Sequence, residues 1–202
     1  MGTVLVHSAS AHRAERLSRA GPSGAHRAGY IAHDGAMGTT AVTPTSPPAS
    51  RYRVSAHVTA PGVAVGLVKE REVEFDASRD PSDELPGPAE LLALSLGACI
   101  LKNVERFSHL LSFAYDGAEV AVEAERQDDP PRFTRLTYEL RIRTDESPHR
   151  VELLHRNLRR FGTVYNTLAA SCDVDGTIVA GPGEAHALDR TAAAVALGNA
   201  CC

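Results

Sequence analysis

The sequence predicts an α+β fold in which antiparallel sheets pack around one long central helix. Three observations predict it. Alternating apolar and polar residues mark strands on both sides of a single long stretch, residues 88–111, nearly all apolar over 91–101 and too long for a strand. The strands come in groups separated by helices rather than in regular strand–helix alternation. Turn-forming residues punctuate the strand groups.

Residues 1–50 read as a flexible tail. They are rich in Ala, Gly, Ser, Thr, Pro, His and Arg, lack a sustained period and close on Ser46-Pro47-Pro48-Ala49-Ser50. Met37 within them is an alternative start. The domain is expected over 51–181, with a second tail over 182–202. Tyr52, Val54, Ala56 and Val58 alternate with Arg53, Ser55, His57 and Thr59, the pattern of a half-buried strand. Ala60-Pro61-Gly62 turns the chain into Val63, Val65 and Leu67. Glu70, Glu72 and Glu74 then alternate with Arg71, Val73 and Phe75 on a third strand, before a polar loop over 76–86.

The long helix is expected from Pro88 to Leu111. Proline suits a first helical turn because its missing N–H has no partner there, and Glu90 suits the positive end of the helix dipole. Leu91 to Leu101 is nearly all apolar, as in a helix buried in a core or an interface. Two strands follow. One alternates Val120, Val122 and Ala124 with Glu119, Glu123 and Glu125; the other alternates Leu136, Tyr138, Leu140 and Ile142 with Arg135, Glu139, Arg141 and Arg143. Their outer charges favour antiparallel pairing. Ser147-Pro148 starts a helix with an apolar face of Val151, Leu154, Leu158 and Phe161. After a break at Gly162 comes a short helix to Leu168, then a last strand from Cys172 to about Ala180.

Composition narrows the function. The chain has 202 residues, 43% hydrophobic and 23% charged, with a net charge of −4. That balance suggests neither nucleic acid nor an anionic membrane as partner. No apolar run approaches the roughly 20 residues of a membrane helix. The opening run Met1–Val6 is too short for a signal-peptide core, so a cytoplasmic location is expected. The four cysteines, Cys99, Cys172, Cys201 and Cys202, form no CxxC pair and no secreted disulfide framework. His109, His149 and His155 match no zinc spacing, and no metal or other cofactor is expected. Arg156, Arg159 and Arg160 read as the solvated face of the second helix.

Cys99 is the candidate nucleophile. A reactive cysteine works as a thiolate, and an unperturbed thiol titrates near about 8.5, so its surroundings must favour the anion. Attack on a peroxide leaves a sulfenic acid, which a second thiol resolves. Taken alone, a cysteine in Leu-Gly-Ala-Cys-Ile-Leu reads more simply as packing, because free cysteine is among the most buried residue types.

The segment Gly87-Pro88-Ala89-Glu90-Leu91-Leu92-Ala93-Leu94-Ser95-Leu96-Gly97-Ala98-Cys99 resembles the signature of the OsmC/Ohr family. There a Pro-x-Glu-Leu-Leu helix start leads to a reactive cysteine. Phe161-Gly162-Thr163-Val164-Tyr165-Asn166-Thr167-Leu168 is similar to the family's second conserved region. The resemblance runs from about Tyr52 to Ala180. It implies an intertwined homodimer whose two sites gather residues from both subunits. It also implies reduction of organic hydroperoxides by a dithiol of lipoyl type, in oxidative-stress defence.

By the same resemblance Arg79 is the cation that activates the thiol, and Glu90 the carboxylate that holds it. Glu90 lies nine residues before Cys99, which at about 100° per residue puts the two on opposite faces of a continuous helix. The peroxidases carry this glutamate one residue earlier, where Ala89 stands. They also open the second region with Cys-Pro, where this chain has Gly162-Thr163. Cys172 is then the candidate resolving thiol, provided its Cα comes within about 7 Å of that of Cys99; otherwise it is a small residue at a strand start and an external thiol resolves Cys99. Two other readings are a non-enzymatic dimer that binds a hydrophobic small molecule, and a redox sensor oxidised stoichiometrically at Cys99.

Overall fold

In the computed structural model, residues 3–7, 50–80 and 83–182 are described. The elements are β1 (Val4–His7), β2 (Val54–Ala60), β3 (Val63–Val68), β4 (Arg71–Asp76), α1 (Pro88–Leu111), β5 (Gly117–Asp128), β6 (Pro131–Arg143), α2 (Pro148–Phe161), α3 (Thr163–Ala169) and β7 (Asp173–Gly181). They form an α+β fold with two sheets, ordered β1-β7-β6-β5 and β2-β3-β4. Met37, residues 8–49 and the C-terminal segment beyond residue 182, with Cys201 and Cys202, lie outside the described residues.

Helix α1 begins on Pro88 in the first turn, after Gly87 in an extended conformation. It stops at Ser112, which takes left-handed angles while the Phe113 N–H donates to the Ser108 carbonyl at 2.9 Å. One stripe of the helix is buried: Leu96, Gly97, Ile100, Asn103, Val104 and Phe107. These pack with Leu136, Tyr138, Leu140 and Ile142 of β6, with Val151, Leu154 and Leu158 of α2, and with Val174, Ile178 and Ala180 of β7. Burying each large aliphatic side chain here contributes about 1.5–3 kcal/mol.

Several expectations are corrected. The tail reading of residues 1–50 fails at Val4–His7, which pairs antiparallel with β7 from Val4↔Ala180 to His7↔Thr177. The edge of β7 offers unpaired backbone groups, and a short apolar run satisfies them. The sheets are not all antiparallel, because β6 and β7 run parallel. Parallel neighbours need a long crossover, which α2 and α3 supply. The last strand starts at Asp173, one residue after Cys172. Finally, β2 is exposed along its whole length within one chain, not half-buried.

The β5–β6 hairpin follows its charge pattern. Glu119 lies opposite Arg141 and Glu125 opposite Arg135. The Glu119 and Arg141 side chains approach to 3.9 Å.

His155 and Tyr138 form a titratable pair in the core. His155 is 3% exposed and its Nε2 shares a hydrogen bond of 2.8 Å with the Tyr138 hydroxyl. Burial first, then the Arg159 charge, push His155 down to about 4. The unfolded chain titrates this group near about 6.5, so between these values it binds a proton that the folded chain refuses. The contribution of His155 to stability is therefore full above the unfolded value and lost as pH falls towards the folded one. Thermal melts across this window are expected to fall more steeply for wild type than for His155→Gln. Parallel curves would show that His155 is not the group responsible.

Candidate active site

Cys99 lies at the edge of the buried stripe of α1 and is partly exposed. Two neighbours define its sulfur. Asn103, one turn along the helix, directs Nδ2 to the Cys99 carbonyl at 2.9 Å and to Cys99 Sγ at 3.6 Å. Residues four apart share a helix face, so this contact follows from local spacing. Gly162, at the junction of α2 and α3, stands on another side: a Cβ built on it would lie 3.5 Å from Cys99 Sγ. The same Cβ would meet the Leu158 carbonyl at 2.8 Å and Tyr165 Cβ at 2.9 Å. The junction therefore takes glycine because a side chain there meets backbone. Phe161, just before it, packs on Phe107 with ring centroids 5.5 Å apart.

The other candidates are scattered. Glu90 is exposed in the first turn of α1, its Oε2 3.0 Å from where a Cβ on Gly87 would stand. It thus folds back over the helix N-terminus, where a carboxylate is favourable. Nine residues of helix separate it from Cys99 by about 13 Å along the axis. Arg79 is exposed in the loop before α1. Among the described residues Arg79 forms no ion pair with Glu90 and no hydrogen bond with Cys99.

Cys172 packs against the core beside β7, and its thiol donates to the Leu168 carbonyl at 3.4 Å. Burial, then the Asp173 charge, push this thiol up, which disfavours its thiolate. Both cysteines are free.

Sequence reasoning missed Asn103 and Gly162 as neighbours of the sulfur. Asn103 carried a signal: a polar side chain on the apolar stripe, one turn after the cysteine. The approach of Gly162 is a tertiary contact with no local signal. Two surface cavities of about 420 and 430 Å³ lie elsewhere, one lined by Glu123, Glu139 and Asp175, the other by Arg156, Arg159 and Arg160. Among the described residues no cluster of three or more His, Cys, Asp or Glu could hold a metal ion. No helix among them is long and apolar enough to cross a membrane.

The site is thus a free, partly exposed cysteine on a long helix, facing a helix–helix junction within a two-sheet α+β frame. Residues 72–176, just over half of the chain, match the OsmC-like protein family, and the chain belongs to it.

Solved structures share the fold. An OsmC-like protein from Mycoplasma pneumoniae superposes with a TM-score of 0.58 at 15% identity, covering 64% of this chain and 97% of that one. An organic hydroperoxide resistance protein OsmC from Legionella pneumophila gives a TM-score of 0.53 at 13% identity, covering 67% and 100%. An OsmC-like protein of unknown function from Vibrio cholerae gives 0.56 at 9% identity, covering 64% and 99%. At these identities the likeness is one of fold. No curated protein matches the chain.

Proposed function

We propose that the protein is a thiol-dependent peroxidase that reduces organic hydroperoxides through Cys99, in cytoplasmic oxidative-stress defence. The observation that carries this reading is the partly exposed Cys99 thiol with an amide donor at its sulfur. Family membership supports it, as does the fold shared with a protein named for organic hydroperoxide resistance.

The chemistry balances with two reductant thiols. The Cys99 thiolate attacks the terminal oxygen of ROOH, the O–O bond breaks, and the alkoxide takes a proton to leave as ROH. Sulfur is oxidised to Cys99–SOH. An external thiol then displaces water and forms a mixed disulfide, and a second thiol releases Cys99. A dithiol of lipoyl type supplies both sulfurs.

The surroundings of Cys99 favour external resolution. Gly162-Thr163 stands where the peroxidases carry Cys-Pro, and the packing at Gly162 leaves no room for a side chain without a shift. The raised, hydrogen-bonded thiol of Cys172 is a poor second nucleophile. Arg79 is the proposed activating cation, a role that family resemblance implies and that the proposed dimer has to supply. Glu90 has the weaker claim to a catalytic part, since helix geometry turns it away from Cys99.

A homodimer is part of the proposal. In a single chain Val58 and Leu94 are about two-thirds exposed and Leu101 is also exposed, so apolar faces of α1 and of the β2-β3-β4 sheet lack cover. Isolated exposed apolar residues are ordinary, but several together on one helix or sheet face suit an interface. Sedimentation is expected to give a dimer, and Leu94→Glu to shift it towards monomer. A wild-type monomer would contradict the assembly.

The activity is tested by following an organic hydroperoxide with dihydrolipoamide as reductant. Saturable turnover is expected. No turnover with any dithiol or monothiol would sink the enzyme reading and favour the binding reading. One equivalent consumed without turnover would instead mark a redox sensor.

A further inference from the structure

We propose that Asn103 is the positioning residue of Cys99: its side-chain amide fixes the thiol and stabilises its anion. This rests on the reading of Cys99 as the nucleophile.

Asn103 is 8% exposed and sits in the buried stripe of α1 between Ile100, Val104 and Phe107. Asparagine is a middling helix former, and its amide loses water when buried. A role limited to packing would be met by leucine, which has no polar group to satisfy. The Nδ2 group instead turns back one turn, with the Cys99 carbonyl at 2.9 Å and Sγ at 3.6 Å. An NH₂ group has two hydrogens. One bond to the carbonyl anchors the amide, and the second hydrogen is available to sulfur. A donated N–H favours the charged form of an acceptor over its neutral form.

The charged groups near this sulfur are few. On α1 itself the next charge is Lys102, which is exposed. On α2, which packs against α1, Arg159 and Arg160 lie over the rings of Tyr165 and Phe161. On β5, Val120 and Val122 face α1 at Gly97, while Glu119 and Glu123 point away. None of these charged groups forms a hydrogen bond with Cys99 among the described residues. Among the described residues, the side chain that offers a hydrogen bond to this sulfur is Asn103.

When the thiolate attacks a hydroperoxide, the sulfur changes from anion to neutral sulfenic acid. A donor held at sulfur sets how much thiolate is present before the attack and keeps its lone pair aimed out of the helix. The arginine implied by family resemblance does not fill this role within one chain, because Arg79 makes no hydrogen bond with Cys99.

The test is the pH profile of Cys99 alkylation by iodoacetamide, read by mass spectrometry of the Cys99 peptide in the full chain. Asn103→Leu is expected to move the midpoint up by about one pH unit and to slow alkylation near pH 7 about tenfold. Asn103→Asp puts a carboxylate at the sulfur and is expected to move the midpoint further. Asn103→Ser keeps a shorter donor and is expected to fall between wild type and Leu. A loss of packing alone would lower the melting temperature without ordering the midpoints in this way.

Wild-type midpoints in the Leu and Asp variants would overturn the proposal. If the Leu variant does not fold, the Asp and Ser variants carry the same comparison. Alkylation is read without peroxide, so the outcomes separate. Shifted midpoints in a protein that turns over no peroxide would refute the peroxidase reading alone. Unchanged midpoints in an active peroxidase would refute the role of Asn103 alone.

Discussion

Cys99→Ser is expected to lower organic hydroperoxide turnover by at least about a thousandfold, while Cys172→Ser keeps it within about threefold of wild type. The first effect is large because the hydroxyl cannot replace a thiolate nucleophile near neutral pH. The second is small because the Cys172 thiol donates to the Leu168 carbonyl and is held towards its neutral form by burial. The pair of variants also decides how Cys99 is regenerated. If Cys172→Ser stopped turnover after one equivalent of peroxide, Cys172 would be the resolving thiol. Two sulfurs would then meet in a conformation other than this one. Steady-state and single-turnover assays on both variants make the distinction.

Gly176→Val is expected to give the largest loss of stability, at least about 3 kcal/mol. Gly176 lies on β7 directly opposite Tyr138 of β6. A Cβ at this position would clash with the Tyr138 ring, which lies over the bare backbone. The ring cannot simply swing away. Its hydroxyl is bonded to His155, its edge meets Tyr165, and the side chain is buried in the core. Displacing it would break a buried hydrogen bond and disturb α2, α3 and the central strand together. Gly176→Ala is expected to cost less but still to destabilise. Urea denaturation of both variants measures the loss. A midpoint equal to wild type for Gly176→Val would contradict this packing.

Local signals made much of the fold legible. Proline in a first turn, a nearly all-apolar run and the return of polar residues bound α1 at Pro88–Leu111, where the structure has it. Period-two alternation with opposite outer charges identified the β5–β6 hairpin, including Glu119 facing Arg141. What escaped was non-local. The pairing of Val4–His7 with β7 joins segments from opposite ends of the sequence, and four residues inside a polar, aperiodic stretch give no warning of it. The parallel pairing of β6 with β7 was in principle readable from the two helices between them, since no tight turn connects those strands. The exposure of β2 has a different cause. Its alternation reports a face meant for burial, and among the described residues that face stays exposed.

The candidate site was legible in the same uneven way. Cys99 was chosen by resemblance, because a cysteine in an apolar helix looks the same to periodicity whether it reacts or packs. Helix spacing set Glu90 on the far face, and its carboxylate lies over the N-terminus of α1. Asn103 was within reach of the i,i+4 rule, but only once Cys99 mattered. Gly162 comes to the sulfur through the packing of α2 and α3 against α1, which no local pattern encodes.

The central claim is that Cys99 is the sulfur that takes oxygen from a hydroperoxide. The most direct measurement treats the reduced protein with one equivalent of organic hydroperoxide, traps sulfenic acid with dimedone and maps the adduct by mass spectrometry. The account predicts the adduct on Cys99, and none on Cys172. An adduct on Cys172 in its place, or peroxide consumed with Cys99 unmodified, would contradict it.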